Sequence, residues 1–337
     1  MKTWFLRILQ AALTIGLLWW IFSRPDFMNA ARAALHEADW RWLAAGLGLA
    51  LADQVLNIVR WAIYLRIQRI DASWGKITQV FMGGLFFNLI LPGMVSGDVL
   101  KMALFGQQGR GHWRPIMLSI VADRLIGLIA LVVFTLAIVL WRYQWLSQTA
   151  LATGLLWGLI VFTVLSILLL AASFFLSGQG TLEKLPVRFP GRKAILEMGG
   201  AWHLFVEKWR ASLVAVVLSF PVLFTYFGVF WCGARAFRAP VSLLDLCSVM
   251  PVITVGTSLP ISFSGIGVRE EMFKHLLHDL ASVPAEKAVL ISLAGFAIYA
   301  VCGIIGLFFC VADLPEVFEL MRKKDKPPAE APAESQG

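Results

Sequence analysis

Leu91-Pro92-Gly93-Met94-Val95-Ser96-Gly97 and Leu259-Pro260-Ile261-Ser262-Phe263-Ser264-Gly265 share the pattern LPxxxSG, 168 positions apart in a chain of 337 residues. Each copy interrupts an otherwise apolar segment, Ile77 to Phe105 and Leu243 to Leu277, with Pro and Gly, the residues a helix interior tolerates least. Charge follows each at once, Asp98 and Lys101 in the first case and Arg269 and Glu270 in the second. Both segments therefore read as broken or re-entrant helices.

The rest of the chain is apolar enough to surround them with lipid. Hydrophobic residues make up 59% and charged residues 15%, with 14 Trp and 24 Phe against 21 acidic side chains. A soluble domain carries about 45–50% apolar and about 25% charged residues. That balance excludes a soluble enzyme and a disordered chain. A span needs about 20 apolar residues, and six stretches qualify: Phe5 to Phe22, Leu43 to Leu65, Pro115 to Trp141, Leu151 to Leu176, Leu213 to Trp231 and Ala288 to Val311. The fold expected is an all-α polytopic membrane protein with about six full spans and two broken or re-entrant elements.

The same offset carried outward from the motifs places the second span on the fifth and the third on the sixth, and puts Lys101 on Arg269. Three full spans and one broken element in each half make the second half enter from the opposite face. An inverted repeat is expected, with halves at about 1–145 and 146–311 and a cytoplasmic linker at about 177–210. Within that linker Ile195, Met198, Trp202, Phe205 and Trp209 recur at helical spacing, a pattern that suits a segment resting on the membrane surface. Residues 312–337, with Pro327, Pro328 and Pro332, have the composition of a disordered cytoplasmic tail. The first span has a basic start like a signal peptide, but Arg24-Pro25-Asp26 follows it without a clean cleavage site. Lys and Arg favour one set of loops about two to one, which places both termini in the cytoplasm.

Inverted repeats of this kind hold substrate near the midplane between interrupted helices, whose N-terminal ends offer unsatisfied N–H groups to anions. Ser96 or Gly97 can begin one half-helix, and Gly267 can cap another with Glu270 at N3. Charges inside spans cost about 2.5–3.5 kcal/mol each on the insertion scale and must face protein or water. Asp53, Asn57 and Arg60 are spaced four and three, on one helical face, and form an intramembrane polar seam. Asp123 and Arg124 are expected as a second intramembrane pair. Four cysteines, Cys232, Cys247, Cys302 and Cys310, lie in apolar stretches and read as buried thiols.

Phe86 to Gly93, then Ser96-Gly97-Asp98, Asp123-Arg124 with Gly127, Leu259-Pro260-Ile261-Ser262, and Gly265-Ile266-Gly267-Val268-Arg269-Glu270 resemble the transmembrane region of lysylphosphatidylglycerol synthases. The resemblance covers about Arg41 to Val311 and implies a flippase-like movement of aminoacylated or other lipids between leaflets of a bacterial inner membrane. Met94-Val95 and Phe263 depart from the family pattern, which has smaller residues and Pro there. Larger members carry a soluble aminoacyl-transfer domain after the membrane region. Only a short charged tail follows Val311, so aminoacylation is not expected of this chain.

The substrate-binding residues expected are Asn88, Pro92, Gly93, Ser96, Gly97, Asp98, Lys101, Asp123, Arg124, Pro260, Ser264, Gly265, Gly267, Arg269 and Glu270. Lys101 and Arg269, equivalent in the repeat, are expected to converge on one phosphate. The expected partners are membrane lipids, not nucleic acid, and a homo-oligomer is left open. No catalytic residue, metal or cofactor is expected, and no GxxxxGK[ST] loop is present to bind ATP. Two alternatives remain: a transporter of small solutes or ions, and a metal-dependent intramembrane enzyme using Glu271, His275 and His278, which share one helical face. The topology is directly testable. Cysteines placed at Gly109 and Gln179 in a cysteine-free background should label from the cytoplasm, and those at Ser147 and Asp279 from the other side; labelling of 109 and 147 from the same side would rule out inversion.

Overall fold

The computed structural model describes residues 25–90, 97–98, 101–102, 105, 113–178, 192, 196, 207–258 and 265–310, and among them no strand occurs. The helices are α1 (Pro25–His36), α2 (Trp40–Ile67), α3 (Trp74–Ile90), α4 (Trp113–Leu146), α5 (Ala150–Gly178), α6 (Trp209–Ala236), α7 (Leu243–Ser258), α8 (Val268–Ala281) and α9 (Ala285–Cys310). Five of them, α2, α4, α5, α6 and α9, contain stretches long and apolar enough to cross a membrane, so the chain is a multi-pass all-α membrane protein. The first expected span, the linker helix except for a few residues, and the tail lie outside the described residues. Helix α1 was not anticipated; it opens with Pro25 at N1, where the missing N–H costs nothing.

The described helices of the two interrupted segments reach to the motifs, whose residues 91–96 and 259–264 lie outside the described residues. Helix α3, of 17 residues, ends at Ile90, and α7, of 16, ends at Ser258. At 1.5 Å per residue each is about 25 Å long, short of the roughly 30 Å hydrocarbon core. Each stops just before its LPxxxSG motif. Helix α8 then starts anew after Gly265 and Gly267, both at positive φ (75° and 87°), a backbone conformation that side chains with a Cβ rarely adopt.

Helix lengths and ends repeat at an offset of 169, one more than that of the motifs. Helices α2 and α6 are both 28 residues long. Both close with an arginine at positive φ, Arg69 and Arg238, while the next N–H reaches back to Leu65 and to Ala234 respectively, a Schellman-type stop. The packing repeats too. Helix α2 lies on α6; α2 also meets α4, α9 and α3, and α6 correspondingly meets α9, α4 and α7; α3 packs on α9 as α7 packs on α4. Every one of these contacts maps onto another when the halves are exchanged. At the far end of α4, Arg142 departs from helical geometry (φ −114°, ψ 18°) and donates to Asp245 at 2.5 Å, tying α4 to the first turn of α7.

Two buried apolar clusters hold this frame. One, with Phe227, Phe230, Phe273 and Leu246, joins α4 and α6 to α7, α8 and α9; the other, with Trp61, Leu65, Ile77 and Phe105, joins α2, α3 and the start of α4. Outside them, Leu140, Trp141, Trp157, Val161, Leu165 and Leu168 are exposed, the surface that lipid covers at no cost. Without a hydrophobic drive between spans, close backbone approach supplies much of the helix association. Gly306 of α9 marks such an approach, since a Cβ there would collide with the Met82 carbonyl of α3. Gly306→Ala should cost about 1–3 kcal/mol by overpacking, read as a lowered thermal midpoint of the detergent-solubilised protein. Gly154→Ala in α5, where a Cβ meets nothing within 4 Å, should leave that midpoint unchanged or slightly raised.

Candidate functional site

Asp53, Gln54, Asn57 and Arg60 lie within two turns of α2, where it packs against α6. Asp53 is buried and accepts from Gln54 Nε2 (2.9 Å), Asn57 Nδ2 (3.2 Å), Thr225 Oγ1 of α6 (3.3 Å) and the Tyr299 hydroxyl of α9 (3.3 Å). Arg60 donates through Nε to Asp123 at 2.7 Å, through one terminal nitrogen to Ser219 at 3.1 Å, and through the other to Asn57 at 3.1 Å and Asp123 at 3.3 Å. The seam expected from the spacing is present, and its groups are bonded across helices of both halves.

The expected pair of Asp123 with Arg124 is not formed. Neighbouring helical residues point about 100° apart, so Asp123 turns toward Arg60 and Arg124 toward Asp98, which accepts from its Nε at 3.2 Å and a terminal nitrogen at 2.8 Å. Asp98 also holds Lys101 Nζ at 3.4 Å. The Lys101 ammonium lies 4.3 Å from the Phe81 ring centre and 5.0 Å from that of Trp61, a cation–π seat. At the first break, the Gly97 N–H donates to Asn88 Oδ1 at 2.7 Å. A Cβ on Gly97 would collide with the Gly84 carbonyl, so α3 and the chain after the break touch backbone to backbone.

The second break is tied in an analogous way. Glu270 Oε2 accepts the Gly267 N–H at 2.5 Å, the predicted cap, and its Oε1 accepts from Ser292 at 2.6 Å. Ser292 of α9 occupies the repeat position of Arg124 in α4, so the same site on each long helix holds the acid that follows each break. Glu270 is thereby buried, its carboxylate drawn inward. Beside it Arg269 lies over the Phe296 ring at 5.7 Å and against Gly265, whose absent Cβ leaves room for the guanidinium.

Arg269 lines a cavity of about 220 Å³ with Asn88 of α3, Tyr226 and Phe230 of α6, and Phe296 and Tyr299 of α9. Leu85, Leu89, Ala300 and Cys302 also line it. Lys101 is not among its lining residues; the structure seats that ammonium on Trp61 and Phe81 instead. Of the expected binding residues, Pro92, Gly93, Ser96, Pro260 and Ser264 lie outside the described residues. The sequence reading missed Gln54, Thr225, Tyr226, Ser292 and Tyr299. A signal existed for two of them: the chain has 4 tyrosines, and a hydroxyl within an apolar span calls for a partner.

The Glu271, His275 and His278 trio does not converge. Glu271 Oε2 engages Lys274 at 2.6 Å and His275 at 3.2 Å, while His278 Nδ1 faces the Val283 carbonyl at 3.1 Å. Among the described residues no cluster of three metal-ligating side chains occurs.

The family model described as "Lysylphosphatidylglycerol synthase TM region" matches residues 7–306. The chain belongs to this family. It is also 24% identical over 187 residues to a UPF0104 membrane protein of Pyrococcus horikoshii, a match covering 55% of this chain and 53% of the relative. The chain thus spans about half the length of the curated relative it matches. Membership is that of the membrane region, not of the transferase domain, and agrees with a membrane, lipid-related role.

For this family member the Arg60–Asp123 pair gives a direct test of the seam. Removing one partner of a buried pair strands the other charge at a cost of about 3–5 kcal/mol. Arg60→Gln and Asp123→Asn alone should each lower folded yield and thermal midpoint, and the double variant should recover part of the loss. Arg124→Gln, at a side chain 54% exposed, should be milder. Size-exclusion profiles and melts of the four proteins decide it; equal behaviour of all four would make the seam energetically idle.

Proposed function

We propose that this protein moves a phospholipid or lipid-linked headgroup between leaflets of a bacterial inner membrane, both termini lying in the cytoplasm and the two halves inverted. The observation that carries the reading is the cavity: an apolar and aromatic chamber bounded by residues of both halves, with Arg269 the one charged lining residue among the described residues. That cation stands in the first turn of α8, where helix dipoles favour anions. Its acidic neighbour is turned away to cap the helix. A headgroup phosphate docks on Arg269, Asn88 offers an amide, and the aromatic walls accept the less polar remainder while the acyl tails stay in hydrocarbon. Asp98, Lys101, Asp123 and Arg124 then support the first break, with the half-exposed Arg124 nearest to any passing headgroup. No reaction is assigned to the chain.

Reconstitution separates this reading from transport of a small solute. Vesicles matched for protein content, carrying a fluorescent phospholipid, are scored for the label that becomes accessible to an external quencher. Arg269→Gln should slow transfer about tenfold or more, the loss expected for a charge-assisted contact of about 1.5–3 kcal/mol. Arg269→Lys should retain part of the rate, keeping charge but losing the bidentate fork. Wild-type rates in the glutamine variant would overturn the phosphate site, and no transfer by the wild type with any phospholipid would overturn lipid transport.

A further inference from the structure

Asp53 is 5% exposed, and among the described residues no ion pair reaches it. The nearest arginine, Arg60, is engaged with Asp123, Asn57 and Ser219. Four neutral donors from three helices surround the carboxylate: Gln54 and Asn57 of α2, Thr225 of α6 and Tyr299 of α9. The titratable or charged groups facing this region are Arg60 on α2, Asp123 on α4, Tyr226 on α6, Arg269 on α8, and Tyr299 and Cys302 on α9; Tyr226 is within electrostatic reach of both Asp53 and Arg269. Helix α3 contributes Leu85, Asn88 and Leu89 to the cavity wall, all of them uncharged. Tyr299 belongs to both places, since it lines the cavity and donates to Asp53.

We infer that Asp53 is a proton-binding site, linked through the Tyr299 hydroxyl to anion binding in the Arg269 cavity, so that transport by this protein is proton-coupled. The inference rests on the lipid-transport reading for its cargo, not for its proton site. With Asp53 ionised, the Tyr299 hydrogen is held toward Oδ2 and a negative charge stands behind the cavity wall. A proton taken from water forms one O–H bond on Asp53 and cancels that charge. The protonated carboxyl then donates to the Tyr299 oxygen, and the tyrosine hydrogen turns into the cavity as a donor beside Arg269. Both changes favour an anion. By reciprocity a bound phosphate favours the proton, and release of the anion on the far side returns the proton to water there. A purely structural carboxylate would impose no such link.

Two readouts on the full chain test this. In vesicles of phosphatidylethanolamine and phosphatidylglycerol, transfer of labelled phosphatidylglycerol should rise about tenfold between about pH 8 and about pH 5.5, the scale of a typical coupling free energy. It should also follow an imposed pH gradient at constant sodium. Asp53→Asn should abolish both dependences. Independently of any lipid, infrared difference spectra between the two pH values should show a protonated-carboxyl C=O band that is missing in Asp53→Asn. Tyr299→Phe, which keeps the carboxylate, should retain the band and lose part of the pH dependence of transfer; it also serves if Asp53→Asn does not fold. Transfer that ignores pH in the wild type, a wild-type spectrum without the band, or dependence on a sodium gradient alone would overturn the proton site. If no phospholipid moves but the band is present, the cargo assignment fails and the proton site stands.

Discussion

Everything in this structure follows from interrupting a helix where no water is available to its backbone. Each break frees N–H and C=O groups that lipid cannot satisfy, at several kcal/mol apiece, so irregular backbone is tolerated only inside protein. Both breaks are secured by the same kind of device. An amide N–H near the break is taken up by a side chain, Gly97 by Asn88 and Gly267 by Glu270. The acid following the break is then held by one position on the neighbouring long helix, Arg124 in the first half and Ser292 in the second. The second copy uses a neutral hydroxyl where the first uses a cation.

That difference extends across the molecule. The frame is duplicated, with matched helix lengths, matched stops and interchangeable packing, but the charge is not. The repeat positions of Asp53, Arg60, Asp98 and Asp123 are Pro221, Gly228, Ile266 and Ile291 in the second half. Of the charged residues at the two breaks, Lys101 and Arg269 correspond, and they sit in different surroundings: Lys101 is neutralised by Asp98 and seated on aromatic rings, whereas Arg269 borders open space. A twofold frame thus carries onefold chemistry.

The sequence made the frame legible because its signals are strong and redundant. Span length is set by bilayer thickness, Pro and Gly mark a break wherever they fall, and a common offset checks both at once. The cap of α8 by Glu270 was also readable, since capping depends on residues three apart. Partners across helices were not. Adjacent Asp123 and Arg124 invited a local pairing that helix geometry forbids, and nothing in one dimension says that Arg60 lies beside Asp123 or Tyr299 beside Asp53. The rotation of α2 against α6 and α9 decides those contacts, and it is set by packing of apolar side chains with weak periodicity. Helix α1 escaped notice for a related reason, its 12 residues being too few and too mixed to stand out beside full spans.

Charge accounting sets the seam apart from the cavity. Along the seam acids and bases alternate: Arg60 with Asp123, Arg124 and Lys101 with Asp98. An incoming phosphate would have to displace a carboxylate already bonded to each cation, and displacing one partner of a buried pair leaves the carboxylate stranded. Glu270, the acid beside Arg269 in sequence, is occupied by the Gly267 amide and Ser292, so the helix cap that secures the break turns that carboxylate inward. The same bond that stabilises an interrupted helix in lipid thus leaves its first-turn cation facing a chamber of aromatic rings, where low polarity strengthens any pairing that an anionic headgroup can make.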